Sequence, residues 1–86
     1  MTEYGKALGR RLREVRTGLD LTLQGVEELS DGQWNAAVIG SYERGDRAIS
    51  VVNLARLAQF YGVPTVELLP DTTAAATRVE AHADVR

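Results

Sequence analysis

Apolar residues recur at intervals of three or four along the first 70 residues of the chain. This period predicts amphipathic helices, because residues three and four apart lie on one helix face. The first predicted helix covers residues 4–17, "YGKALGRRLREVRT", and its inward-facing apolar residues are Tyr4, Leu8, Leu12 and Val15. The fourth, "VVNLARLAQFY", has an apolar stripe formed by Val51, Leu54, Leu57, Ala58 and Tyr61.

Capping residues set the limits of the second and third predicted helices. Thr22 is a good N-cap for the segment "LQGVEELS", and Asn35 can cap a helix over residues 36–44. Gly45 tolerates the left-handed conformation in which helices commonly end. The residues expected to face the core from these two helices are Leu23, Val26, Ser30, Val38, Ile39 and Tyr42.

The rest of the pattern predicts a final short helix and a tail. Ser50 caps the fourth helix, and Pro64 opens a fifth helix that runs through Leu69. No segment of useful length alternates with the period of a strand. The sequence therefore predicts an all-α domain of five helices over residues 1–70. Residues 71–86, rich in Ala and Thr, are expected to form a flexible or marginally helical C-terminal tail.

Composition excludes several classes of site. The 86 residues fit one domain and include no cysteine, which excludes disulfides, cysteine-based zinc sites and thiol catalysis. The single histidine, His82, lies in the tail, where it builds neither a metal site nor a Ser/His/Asp set. Glu27 and Glu28 are adjacent on a helix and point in different directions, so they are no acid/base pair. We predict no cofactor, no metal and no enzymatic activity.

Hydropathy and charge add two expectations. No apolar run approaches the roughly 20 residues of a membrane span, and the N-terminus "MTEYGKALGRRLREV" lacks the apolar core of a signal peptide. A soluble, cytoplasmic protein is therefore expected. The formal net charge is −2, yet the first helix carries a basic block formed by Lys6, Arg10, Arg11, Arg13 and Arg16. This block is either a solvated helix face or a source of phosphate contacts.

Two short capped helices, at residues 22–30 and 36–44, are typical of a helix-turn-helix. On this pattern alone, a DNA-binding unit and a helical interaction module both remain open. Three segments carry a family resemblance: "LREVRTGLDLTLQGVEELS", "SYERGDRAIS" and "LARLAQFYGVPTVELL". Over residues 4–69 the chain resembles the Xre-type, lambda-repressor-like helix-turn-helix family. The closer resemblance is to BldD-like regulators of actinobacteria, which share "SYERGDR", a Trp in the turn and "FYGVP-x-x-ELLP".

The resemblance implies roles for residues on and around the third helix. It implies an ion pair between Arg16 and Glu43 that orients this helix. The positions that it places in the groove are Ala36, Ala37, Gly40 and Ser41. Side chains able to reach base edges are Gln33, Asn35, Ser41 and Arg44. Phosphate contacts are expected from Arg47, and from Thr22 with the backbone N–H groups that follow it.

The turn departs from the common family pattern, because the segment "SDGQWNA" makes it two residues longer. Trp34 takes the apolar position of this turn and is expected to fill the core rather than stack on DNA. BldD-like regulators also bind cyclic di-GMP in a further domain, through Arg-Gly-Asp followed eight residues on by Arg-x-x-Asp. Here Arg44-Gly45-Asp46 lies in the helix-turn-helix and the second half is missing. We predict no cyclic di-GMP site in this chain.

The resemblance implies a sequence-specific DNA-binding transcriptional regulator, expected to be a repressor. With few base-reading side chains, one domain would bind weakly, so we expect a dimer on a pseudo-palindromic operator. The expected dimer contact is apolar and consists of Val63, Val66, Leu68 and Leu69. The alternative is a protein-interaction module, in which a degenerate helix-turn-helix binds another regulator or RNA polymerase. The acidic net charge and the small residues at the groove positions favour that alternative. The intact caps, the implied Arg16–Glu43 pair, Arg44 and Arg47 favour the DNA-binding regulator more strongly.

Overall fold

Side-chain caps begin three helices at the residues that the sequence predicts. The Thr22 hydroxyl accepts a hydrogen bond from the Gly25 N–H, and the Ser50 hydroxyl accepts one from the Asn53 N–H. The Asn35 side chain accepts from two N–H groups of the next helix. Each cap supplies a partner to a backbone donor that the first helical turn leaves free. Two helices end at glycines with positive φ, Gly45 at 78° and Gly62 at 73°.

The computed structural model describes residues 3–70, so the predicted tail over residues 71–86 lies outside the described residues. The described part consists of α1 (Glu3–Gly18), α2 (Leu23–Leu29), α3 (Ala36–Arg44), α4 (Val51–Tyr61) and a 3₁₀ helix (Thr65–Leu68). No β-strand occurs within residues 3–70. The prediction of an all-α fold is confirmed.

One apolar core joins all five elements. Helix α1 packs on α3 and on the 3₁₀ helix, α2 packs on α3, and α4 packs on the 3₁₀ helix. The largest fully buried side chains are Leu12, Val26, Ile39, Leu57 and Leu68, one from each element. Trp34, from the turn, is also buried, as expected of a core residue. The core thus holds α3 from the side of α1 and α2 and leaves its opposite side accessible.

The predicted fifth α-helix is wrong in type. Residues Thr65–Leu68 form a 3₁₀ helix preceded by Pro64. The Glu67 N–H donates to the Pro64 carbonyl, and the Leu69 N–H donates to the Val66 carbonyl, which is the i to i+3 pattern. Only five residues separate Pro64 from Pro70, and such a segment is too short to settle into α-helical bonding. The fold therefore has four α-helices and a 3₁₀ turn.

Two residues assigned to the buried faces are exposed. Tyr4 is 51% exposed and Val51 is 82% exposed. Both lie in the first turn of their helices, α1 and α4, beyond the stretch that the neighbouring elements cover. Helical periodicity identifies the face of a helix but not how far along its axis a partner extends. Leu23 and Ser30, also expected inside, are partly buried.

The described residues contain neither a candidate membrane span nor a candidate metal site. None of the helices within residues 3–70 is long and apolar enough to cross a membrane. The same part of the chain contains no group of three or more His, Asp or Glu side chains arranged to hold a metal ion.

Candidate nucleic-acid interface

The loop between α2 and α3 is held by hydrogen bonds at both ends. Asp31 and Gly32 adopt left-handed backbone conformations, with φ of 57° and 80°. The Gly32 N–H donates to the Glu27 carbonyl over 2.8 Å, and the Trp34 N–H donates to the Ser30 hydroxyl over 3.0 Å. With the Trp34 side chain buried, this longer loop has a fixed path. It therefore defines where α3 begins relative to α2.

The first turn of α3 has its free donors satisfied by two side chains. Asn35 Oδ1 accepts from the Ala37 N–H at 2.8 Å and from the Val38 N–H at 3.3 Å. Glu27 Oε1 accepts from the Ala36 N–H at 2.7 Å. No local pattern predicts the Glu27 contact, because Glu27 lies nine residues before its partner and outside any local capping box. The Glu27 carboxylate thus ties the start of α3 to α2, and the Asn35 amide ties it to the loop.

The far end of α3 is fixed to α1 by the ion pair that the resemblance implies. Arg16 Nε lies 2.7 Å from Glu43 Oε2, and its Nη2 lies 2.9 Å from Glu43 Oε1. Arg16 Nη1 also donates to the Leu21 carbonyl at 2.7 Å. Both charged side chains are nearly excluded from water. The hydrogen bond to Glu43 raises the pKa of Arg16 against the opposing effect of burial, so the pair stays ionised.

Helix α1 approaches the same end of α3 without a side chain between them. A Cβ atom at Gly9 would overlap the Glu43 carbonyl oxygen and lie 2.7 Å from the Tyr42 carbonyl oxygen. Gly9 is itself buried in the middle of α1. The two helices can therefore meet in this arrangement only with glycine at this position. Neither spacing nor charge marks Gly9 in the sequence, since its role depends on the tertiary contact.

The accessible face of α3 consists of residues three or four apart. Ala37 and Arg44 are exposed and Ser41 is partly buried, with its hydroxyl donating to the Val38 carbonyl at 2.8 Å. Ala36 and Gly40 are buried rather than open to solvent. They nevertheless line a depression of about 280 Å³ together with Ala37 and Arg44. Three of the four predicted groove positions, Ala36, Ala37 and Gly40, thus line one shallow cleft, and Ser41 does not.

The remaining predicted contacts surround this face. Exposed side chains flank both ends of α3, and they are Gln33, Asn35 and Arg47. Thr22 is exposed at the start of α2, although its hydroxyl is engaged as the cap. Arg44 Nε lies 2.9 Å from Asp46 Oδ2, and both side chains are well exposed. Part of the Arg44 charge is thereby compensated, while its Nη1 lies close to Gly40.

One polar residue of this surface was missed at the sequence level. Gln24, exposed in the first turn of α2, lines the same depression as Ala37 and Arg44. The sequence signal for Gln24 is its position two residues after the Thr22 cap, in the first turn of α2. Helix α2 thus contributes an amide side chain next to the floor of α3.

Comparison with known proteins shows the family to which this chain belongs. A sequence model described as a helix-turn-helix domain matches residues 7–70. The chain belongs to the helix-turn-helix domain family. No curated protein sequence matches it significantly. Helix α3 occupies the place of the second helix of this helix-turn-helix domain, and α2 that of the first.

Solved structures extend the likeness. The crystal structure of the DNA-binding domain of BldD is 61% identical, with a TM-score of 0.80, and the match covers 81% of this chain and 99% of that one. The BldD DNA-binding domain of S. venezulae is 62% identical, with a TM-score of 0.79 and coverage of 80% and 100%. The restriction-modification controller protein C.AhdI from Aeromonas hydrophila is 34% identical, with a TM-score of 0.66 and coverage of 74% and 94%. The resemblance to BldD-like helix-turn-helix regulators is confirmed.

Proposed function

We propose that this helix-turn-helix domain is a sequence-specific DNA-binding transcriptional regulator, without enzymatic activity, that acts in the cytoplasm. The observation that carries the proposal is the accessible face of α3, which is exposed at Ala37 and Arg44 and belongs to a helix that is fixed at both ends. In a helix-turn-helix the second helix lies in the major groove while the first crosses the backbone. The likeness to two domains described as DNA-binding supports this assignment.

Base readout in this proposal involves few side chains. The α3 face offers Ala37, Ser41 and Arg44, and the loop before it offers Gln33 and the amide nitrogen of Asn35. Arg and Asn or Gln are the side chains that discriminate guanine and adenine in the major groove. The small residues let the helix backbone approach the bases closely and contact a thymine methyl. A large part of the binding free energy then comes from phosphates and DNA shape.

Dimerisation supplies the affinity that one such domain lacks. Val66 is 67% exposed and Leu69 is 37% exposed, so both are available for an apolar contact with a second copy. Leu68, which was grouped with them, is fully buried and closes the core instead. Two domains joined through this surface would recognise half-sites about one helical turn, roughly 34 Å, apart. We propose a pseudo-palindromic operator and a repressor mechanism, in which the bound dimer blocks transcription.

Selection of bound sites from a random-sequence DNA pool tests the proposal. The expected result is a two-fold symmetric consensus that reports the half-site and its spacing together. A gel shift at low and moderate salt accompanies it, because phosphate-dominated affinity must fall as salt rises. Absence of binding even at low salt would remove the DNA-binding function and favour the interaction module.

Arginine variants test the position of the docking face. Arg47→Ala should weaken binding to all sequences alike, since a phosphate contact carries no sequence information. Arg44→Ala should weaken binding by about 1–3 kcal/mol, either to all sequences alike or with a relaxed preference at one base pair. Arg56→Ala is the matched control, because Arg56 is exposed on α4 and does not line the α3 depression. If all three variants bind like the parent protein, the docking face is misplaced.

A further inference from the structure

Two clefts flank α1 and divide its arginines. Arg10 and Arg11 line one of about 420 Å³, on the side of Leu69 and Pro70. Within it, Arg11 Nε donates to the Glu67 carbonyl at 2.6 Å, and its Nη2 lies 3.0 Å from the Glu67 carboxylate. Arg13 lines the other cleft, of about 220 Å³, where α1 meets α2 and α3. The basic block of α1 is therefore not one uniform solvated face.

Gly40 keeps the floor of the cleft at Arg13 free of a side chain. Gly40 of α3 and Leu23 of α2 line this cleft together with Arg13 and Arg44. A Cβ atom at Gly40 would lie 3.1 Å from Arg44 Nη1 and 3.3 Å from Leu23 Cδ1. Because glycine leaves this space open, the Arg44 guanidinium lies against the helix backbone at the edge of the cleft. Guanidinium groups from two different helices thus border one small concave space.

The charges around this cleft leave it positive, although the chain as a whole is acidic. The Arg16–Glu43 pair, at the same cleft, is buried and internally neutral. Arg44 has one carboxylate neighbour, Asp46, which is bound to Nε and leaves the terminal nitrogens available. Arg13 forms no ion pair with a carboxylate in the described part of the chain. Two arginines therefore line the cleft, and one exposed carboxylate offsets their charge.

We propose that this cleft binds a single phosphate of the DNA backbone, with Arg13 and Arg44 donating hydrogen bonds from its two sides. The inference rests on the proposed function and adds a backbone contact from α1 to it. Guanidinium groups match the geometry of phosphate oxygens and remain charged at all physiological pH values. With α3 in the major groove, one DNA strand follows the side of α3 on which Arg13 lies. Arg13 then positions the domain and contributes nothing to base choice.

The test compares Arg13→Ala with Arg10→Ala, an exposed arginine of the same helix that lines the opposite cleft. DNA affinity is measured from low to moderate salt for a selected site and for an unrelated sequence. Arg13→Ala should reduce the slope of log K against log[salt] by up to about 0.9, since Arg44 stays at the site, and it should weaken both sequences equally. Arg10→Ala should keep the parent slope. Arg13→Lys should restore most of the slope.

A second measurement locates the contact on the DNA. Each backbone phosphate of the half-site is replaced in turn by an uncharged methylphosphonate. One replacement should weaken the parent protein more than it weakens the Arg13→Ala variant, in which only Arg44 still contacts that phosphate. Melting temperatures of all variants are compared as a check on folding, and they should be equal because Arg13 is exposed.

The outcomes separate this site from the wider function. Failure of the parent protein to bind DNA at low salt would remove the proposed function itself. Binding with equal slopes for Arg13→Ala and the parent would remove only the phosphate site, as would equal losses for Arg10→Ala and Arg13→Ala. An Arg13-dependent rise in melting temperature in phosphate, relative to chloride at equal ionic strength, would assign the cleft to free phosphate and overturn the backbone contact.

Discussion

At the scale of single residues, one arginine connects three parts of the domain. Arg16 reaches from α1 to the Glu43 carboxylate on α3 and to the Leu21 carbonyl before α2. A buried ion pair often contributes little net stability, because burying two charges offsets their attraction. Removing one partner is different, since it leaves the other charge buried without compensation. The pair therefore acts mainly on the orientation of α3.

Glu43→Ala should lower the free energy of unfolding by about 3–5 kcal/mol, because Arg16 loses its buried counter-charge. Urea titration of the variant measures the loss. Glu28→Ala is the control, as Glu28 is exposed on α2. In Arg16→Met/Glu43→Leu the loss should be smaller but not abolished, since the Leu21 carbonyl still lacks its donor. Parent-like stability in Glu43→Ala would contradict the structural role of the pair.

Tyr61 is a second buried polar residue, and its hydroxyl has no hydrogen-bond partner within residues 3–70. Burial, with a smaller effect of the Glu43 carboxylate, raises the pKa of Tyr61 to about 12 against the opposing charge of Arg16. The folded state thus favours the protonated phenol more than the unfolded state does. The resulting stability is complete below about pH 10 and is lost as pH rises from 10 to 12.

The expected loss of unfolding free energy over this interval is about 2–3 kcal/mol. Tyr61→Phe should abolish this part of the pH dependence, and at neutral pH it should be as stable as the parent or slightly more so. Unfolding by urea at several pH values from 8 to 12 gives the comparison, with Tyr4→Phe at an exposed position as control. Identical alkaline profiles of the parent and Tyr61→Phe would show that another group is responsible.

At the scale of elements, the sequence predicted the limits of α3 and α4 correctly because local signals determine them. Asn35 and Ser50 supply caps, and Gly45 and Gly62 supply left-handed ends, so each boundary has its own chemistry. The prediction of an α-helix after Pro64 is wrong because short α-helices and short 3₁₀ helices begin with the same residues. Tyr4 and Val51 were misplaced because their exposure depends on where a neighbouring helix stops.

The residues of the candidate site differ in the same way, according to whether a local signal or a tertiary contact determines their role. The Arg16–Glu43 pair came from family resemblance and is present in the structure. Gln24, Glu27 and Gly9 were missed, since each acquires its role from a residue distant in the chain or from the packing of two helices. Whether the side chains on α3 contact bases stays a prediction, because readout depends on the geometry of a bound duplex.

The approach of α1 to α3 at Gly9 gives a prediction for this pair of elements. Gly9→Ala should destabilise the domain by about 1–3 kcal/mol, because the added methyl group meets backbone atoms that cannot rotate away. This cost acts against the gain of up to about 1 kcal/mol that Ala offers over Gly inside a helix. Calorimetric melting measures the difference.

Gly18→Ala on the same helix is the matched control. Gly18 is the last residue of α1, and a Cβ atom there would meet nothing within 4 Å. This variant should be as stable as the parent protein or more so. Equal melting temperatures for Gly9→Ala and Gly18→Ala would show that α1 and α3 can separate at no cost.

At the scale of the whole molecule, the exposed apolar residues determine how copies assemble. Val52 and Val66 are 64% and 67% exposed, respectively, but only Val66 belongs to the proposed dimer surface. Val66→Ser should raise the dimer dissociation constant about tenfold or more, because both copies lose the same apolar contact. It should also weaken binding to two half-sites much more than binding to one.

Sedimentation equilibrium and gel shifts on one or two half-sites measure these effects, and Val52→Ser is the control of equal chemistry. Equal effects of the two substitutions would place the dimer contact elsewhere. A change confined to binding of a single half-site would mean that Val66 acts within one domain.

Helix α3 separates the residues that keep it in place from those that face outward. Ile39 and Tyr42 are in the core and Glu43 is in the ion pair, whereas Ala37 and Arg44 make no core contact and the Ser41 side chain bonds only within its own helix. Target preference can therefore drift during evolution at three positions while the free energy of unfolding stays nearly constant. A combinatorial library at Ala37, Ser41 and Arg44 should consist largely of folded proteins, which makes this domain a practical scaffold for new DNA specificities.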